Sequence, residues 1–183
     1  TPTYSRASKV FGYTNFTARL TKTNLTTPTG SNAASTLADV LAMRQQMYNN
    51  KFYGPFMIYH SNDWDTYLDN DYILTGGNVA TQTLRQRLEG IEGIAGVRRL
   101  DYLASSATTY SAAPDRITSA NPFTLIMVQM TPDVCRAVTG MDITTVQWES
   151  VGGMRLNFKV MAIMVPQLRA DYYGRTGILH ATT

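Results

Sequence analysis

The stretch from Thr144 to His180, TTVQWESVGGMRLNFKVMAIMVPQLRADYYGRTGILH, constrains this chain more than any other. Two runs that alternate polar and apolar residues meet at Gly152-Gly153, and the second turns wholly apolar before Pro166. This is the pattern of a long β-hairpin. With a loop at Val151-Gly152-Gly153, Ser150 faces Met154, Trp148 faces Leu156, Val146 faces Phe158 and Thr144 faces Val160. The other face then pairs Glu149 with Arg155, Gln147 with Asn157 and Thr145 with Lys159. One face is apolar and the other polar. A one-residue slip would mix them, so this register is the one expected of a hairpin with one buried face. Gly153 is expected in the left-handed region, where the absence of a Cβ removes the steric penalty. Beyond Lys159, VMAIMV is apolar on both faces, and the strand is expected to enter a buried sheet.

The remaining 183-residue composition sets bounds rather than chemistry. At 44% hydrophobic residues the chain can bury a core. A net charge of +3, with basic residues scattered, is not the pattern of a dedicated nucleic-acid binder. A single cysteine, Cys135, excludes an internal disulfide, and no apolar stretch has the length of a membrane span. The sequence starts without Met in a strand-like segment, as a processed product or a fragment would.

Along the chain, residues 1–30 read as an irregular segment with short strands at Lys9–Tyr13 and Phe16–Leu20. Ser31–Asn49 is the clearest helix, with Leu37, Val40, Leu41, Arg44 and Tyr48 on one stripe. Phe56–His60 reads as a buried strand after Gly54-Pro55. Ser61 reads as the N-cap of a helix to about Leu68, with Asp63 and Asp65 in its first turn. Asp69–Asn78 is a polar loop, Thr81–Leu88 a helix ending near Gly90, and Val97–Leu103 a strand. Leu103–Asn121 is a long Ser/Ala/Thr loop, of a length expected to be functional or mobile. Phe123–Met130 is a buried strand. Thr131-Pro132-Asp133 opens a short helix that Gly140 stops, with Cys135 buried in it.

Candidate chemistry is sparse. His60, Asp63, Asp65, Asp69 and Asp71 form an acidic cluster that suits a metal or acid/base role, and a small hydrolase built on His60–Asp71 is one reading. Asp63 and Asp65 are two residues apart, however, and point to different faces of a helix, so a capped helix start is the favoured reading. No serine carries nucleophile-elbow glycines. Gly76-Gly77-Asn78 and Gly90–Gly96 match no phosphate or dinucleotide loop. Arg85, Arg87, Arg98 and Arg99 read as a solvated or salt-bridged face, and Trp64, Tyr67 and Tyr72 as packing residues. No catalytic, cofactor-binding or metal-ligating residue is assigned, and no cofactor is expected.

Order and motifs together resemble the major capsid proteins of tailed phages, the Hong Kong 97-like fold, in the branch close to encapsulins. The resemblance rests on several stretches. The first is Gly12-Tyr13-Thr14-Asn15. The next is the helix Ser31–Asn49 followed by Phe52-Tyr53-Gly54-Pro55-Phe56-Met57-Ile58-Tyr59-His60-Ser61. Thr83–Ile94, Phe123–Met130 and Val138–Trp148 with Gly140 and Asp142 follow, and the terminal hairpin with Val160–Pro166 completes the set. It implies an α+β fold: a mixed sheet with flanking helices over 31–143 (axial-domain-like), a peripheral-like hairpin over 144–165, and a return to the sheet over 166–183. It further implies a non-enzymatic, self-assembling icosahedral shell subunit, located in a virion capsid assembled in the host cytoplasm. Its partners would be copies of itself and, indirectly, a packaged genome or cargo, with no membrane. An encapsulin nanocompartment around protein cargo is the alternative within the class. The resemblance places this chain in the C-terminal part of such a subunit, after the N-terminal arm, extended loop and spine helix. On that basis the 183 residues are expected to fold without closing shells alone, as a monomer or small oligomer paired through the hairpin.

Overall fold

A computed structural model describes residues 11–73, 79–100, 103 and 123–183. The core is a five-stranded mixed sheet built from β1 (Leu20–Lys22), β2 (Phe56–His60), β5 (Ile94–Arg99), β6 (Thr124–Gln129) and β9 (Ile178–Thr182). Their order is β1-β9-β6-β2-β5. The β6 strand is antiparallel to both neighbours, while β2–β5 and β1–β9 are parallel. Every residue of β6 is buried, because both faces of the sheet are covered.

The period of two sorts the side chains. Leu125 and Met127 of β6, with Phe56, Ile58, Leu179 and Ala181, meet Val40, Met43 and Met47 of helix α1 (Ala33–Asn49) and Leu84 and Leu88 of α3 (Leu84–Glu89). Ile126, Val128 and Ile178 meet Phe16, Leu103 and Val134 on the opposite face. The stripe that α1 buries is Thr36, Leu37, Val40, Met43 and Met47. Leu41, expected on it, is exposed, because the helix lies on the sheet along its methionines. Asp39 ties α1 to the preceding segment by accepting from the Thr26 amide at 2.8 Å and pairing with Lys22 at 2.9 Å.

Several elements match the sequence reading closely. The β2 strand has the expected bounds. A 3-10 turn, Asn62–Trp64, and α2 (Asp65–Leu68) fill the expected helical span after Ser61. Other elements differ. Residues 11–13 form no strand; the one strand described in this region is β1, at Leu20–Lys22. The span read as a polar loop and early helix contains a two-stranded ribbon, β3 (Asp71–Ile73) with β4 (Val79–Thr83). Thr83 then starts α3 with a capping box, its hydroxyl accepting from the Gln86 amide. The expected start of α3 at Thr81 is therefore three residues early: a β-branched segment stays extended until a capping residue ends it. The strand β5 begins at Ile94, upstream of the expected Val97. The Leu103–Asn121 loop, beyond Leu103 itself, and Gly76-Gly77-Asn78 lie outside the described residues.

The largest difference follows Met130. The stretch read as a short helix is a tight turn at Thr131–Val134, closed by the Val134 and Cys135 amides on the Thr131 carbonyl. From Cys135 the chain is a strand: β7 (Cys135–Ser150) pairs antiparallel with β8 (Arg155–Leu168). Gly140, expected to stop a helix, sits at a register irregularity of this ladder, where a Cβ would meet the Ile163 side chain at 3.3 Å. A second irregularity lies between Met141 and Thr144. Such bulges bend and twist a ribbon.

Candidate functional site

The acidic cluster is assembled by three elements. His60 ends β2 fully buried, with Nδ1 2.8 Å from the Ser61 carbonyl and Nε2 3.8 Å from Asp65 Oδ1. Asp65, at the start of α2, takes hydrogen bonds at 3.1 Å from both Arg85 of α3 and Arg99 of β5. Arg85 also binds Asp69 at 2.8 Å. Burial alone would raise the Asp65 carboxyl, but the Arg99 and Arg85 guanidinium groups outweigh it and hold it below the usual carboxylate range. Burial lowers the His60 imidazole. The Ser61 carbonyl and Asp65 oppose that, and Arg85 and Arg99 reinforce it. The Asp69 hydrogen bond is the main cause that raises Arg85.

Chemically this is a brace. Asp65 gives one carboxylate oxygen to Arg85 and the other to Arg99, which joins α2, α3 and β5, while the exposed Asp69 gives one oxygen to Arg85. Asp71 is exposed on the ribbon, apart from these ion pairs. Among the described residues no three His, Cys, Asp or Glu side chains gather as metal ligands. Arg85 and Arg99 are ion-paired to Asp65, and Arg87 and Arg98 are exposed. Trp64 and Tyr67 pack edge-to-face on Phe123.

The other candidate site is the hairpin, and its register corrects the expectation. Trp148 is opposite Asn157, Glu149 opposite Leu156 and Ser150 opposite Arg155. The turn is Val151–Met154, with Val151, Gly152 and Gly153 at φ 58°, 63° and 87°. Gly153 is left-handed as expected, but the two residues before it are as well, and the ladder shifts by one. Neither face is wholly apolar. Trp148 lies with Val146, Asn157 and Lys159, and Phe158 lies with Gln147, Glu149 and Leu156. The physical reason is exposure. Trp148 is 48% and Phe158 73% exposed, so no buried face is present to select the all-apolar pairing. VMAIMV does not enter the core either: Val160, Ile163, Met164 and Val165 are all exposed.

At the base of the hairpin an open groove of about 430 Å3 is lined by Phe11, Tyr13, Met130, Ala137, Pro166 and Leu168, with Cys135 on its wall. Cys135 is half-buried rather than buried, because it begins a strand instead of packing inside a helix. Its Sγ lies 3.8 Å from Met130 Sδ. Sequence reasoning missed this groove, since its walls come from three separate segments.

The chain is thus a mixed sheet covered on both faces and extended by a long exposed ribbon. The fold is similar to that of the virus-like particle from Pyrococcus furiosus known from a crystal structure, at a TM-score of 0.55 and 17% identity. That likeness covers 92% of this chain and 58% of the particle's chain, so the present chain spans less than two thirds of that protein's length. The chain belongs to a family of unknown function (DUF6260), whose model matches residues 6–181. No curated protein matches it. No helix among the described residues is long and apolar enough to cross a membrane.

Proposed function

We propose that this protein is a structural subunit of a self-assembling shell, the major capsid protein of a tailed phage or prophage with the Hong Kong 97-like fold. The observation that carries the reading is the fold likeness to a virus-like particle over 92% of the chain. The exposed hairpin supports it, because a two-stranded ribbon with solvent on both faces is marginal by itself and gains stability from neighbours. Its role is non-enzymatic: the charged cluster braces the subunit, and the partners are copies of the same chain around a packaged genome. Assembly takes place in the host cytoplasm and the product is the virion capsid. Negative-stain electron microscopy of the full-length gene product tests this, with closed particles of uniform size expected. Nucleic acid inside them supports the capsid. Particles filled with a protein cargo would move the reading to an encapsulin-type compartment, and a chain without particles would overturn it.

A further inference from the structure

The loop after the hairpin is organised by hydrogen bonds among its own residues. Asp171 Oδ1 accepts from the amides of Tyr173 at 2.9 Å and Arg175 at 2.7 Å, and Oδ2 accepts from Arg175 Nε at 2.7 Å. The Asp171 amide donates to the Arg175 carbonyl and the Gly174 amide to the Asp171 carbonyl. Below the loop, buried Thr176 donates its hydroxyl to the Arg169 carbonyl at 2.9 Å. The loop thus holds a fixed shape and displays Tyr172 at 96% and Tyr173 at 77% exposure. The two rings stand edge-to-face at 5.4 Å, and the Arg175 guanidinium caps Tyr173 at 5.1 Å. Exposed, rigid tyrosines beside an arginine are the residue types that dominate protein interfaces, and pre-ordering them lowers the entropy lost on contact.

We propose that Asp171–Arg175 is a preformed knob whose tyrosines dock into the apolar groove at the hairpin base of a second copy of this chain, in a two-fold contact. The choice of partner rests on the shell reading above. Three observations support it. The groove is apolar and of a size to take an aromatic side chain. Its wall residues Pro166, Gln167 and Leu168 lead directly into the knob, so knob and groove belong to one end of the molecule and a single two-fold rotation can fill both grooves. The area also fits. Each buried tyrosine covers about 150–250 Å2. Two per copy contribute roughly 300–500 Å2 of tyrosine surface to each side of the contact, a large part of the roughly 800 Å2 per partner of a standard interface.

Cys135 on the groove wall provides the trap. The full-length gene product carrying Tyr172→Cys should form, in air, a disulfide-linked dimer that reductant dissolves and an added Cys135→Ser abolishes, because a disulfide closes only when the two Cα atoms come within about 7 Å. No crosslink, or one closed inside a single copy, overturns the proposal, and a ladder of higher multimers overturns the two-fold arrangement. Separately, Tyr172→Ser with Tyr173→Ser should weaken self-association at least ten-fold by sedimentation velocity. Both residues are exposed, so folding is untouched. Unchanged association and normal particles from this variant overturn the docking and leave the shell reading standing. A specific crosslink without particles upholds the docking and removes the shell reading.

Discussion

At the residue scale, two backbone positions set the tolerance of the fold. The end of α1 closes with the Phe52 amide on the Met47 carbonyl and the Lys51 amide on the Tyr48 carbonyl, the paired bonds of a Schellman ending. That ending needs a left-handed residue, and here it is Lys51 at φ 70°. The side chain is exposed and the conformation disfavours any Cβ, so Lys51→Gly should stabilise the protein by about 1 kcal/mol. Urea unfolding checks this, and a lowered midpoint would show that the lysine makes up the cost elsewhere. Gly177 is the opposite case. A Cβ there would stand 2.9 Å from Val134 Cγ2 and 3.0 Å from both Gln129 Cβ and Phe52 Cδ1. Its carbonyl accepts from the Gln129 amide, which holds the chain tight as it enters β9. Gly177→Ala should cost about 1–3 kcal/mol by overpacking, measured in the same unfolding assay.

At the element scale, the hairpin is held by its own ladder with most of its large apolar side chains exposed. Its turn places a β-branched residue, Val151, at φ 58°, a conformation such residues rarely adopt. Val151→Gly should relieve about 1 kcal/mol. The readout is local: amides of the last pairs, Ser150 with Arg155 and Glu149 with Leu156, should exchange hydrogen about five-fold more slowly. Gly153→Val should speed the same amides. The α3 helix shows a better-secured start, where Thr83 and Gln86 exchange both bonds of the capping box. Thr83→Ala is expected to cost about 1 kcal/mol, detected as a lower urea midpoint.

On the whole-molecule scale, pH acts through two histidines on opposite faces of the sheet. His60 shares a face with Leu125, and His180 shares the other with Ile126. Burial lowers both imidazoles, helped at His180 by Arg19 and opposed at His60 by the Ser61 carbonyl and Asp65. The unfolded chain protonates its histidines near pH 6.5, above the folded values, so it binds more protons as the pH falls. Stability should therefore be full above about pH 6.5 and decline below it, by up to about 1.4 kcal/mol per unit for each histidine. Asp39 and Asp65 have lowered folded values and add a second loss only as the pH falls through and below about 4. Urea midpoints at pH 7.5, 6.0 and 5.0 check the first window, and a flat profile between 7.5 and 5.0 would refute it.

What the sequence determined by itself was local and periodic. The β2 strand could be read from a short apolar run, α1 from its spacing, β6 from a run apolar on both faces, and the left-handed Gly153 from the need of a turn. The class of fold was implied by the family resemblance that the order and motifs of these elements carry. What only the tertiary structure decided depended on what lies opposite each residue. The hairpin's alternation is genuine, yet alternation selects a register only if one face is buried, and here neither is. Pro132 and Gly140 read as the start and stop of a helix because those residues do serve that way; pairing of Cys135–Ser150 with Arg155–Leu168 overrode that preference with a ladder no local window contains. The acidic cluster read first as a capped helix start and second as chemistry; its arginine partners, Arg85 and Arg99, come from distant elements and were not legible. The apolar groove and the tyrosine knob were silent in the sequence for the same reason: a surface is made of segments that meet in space, and spacing along the chain does not record it.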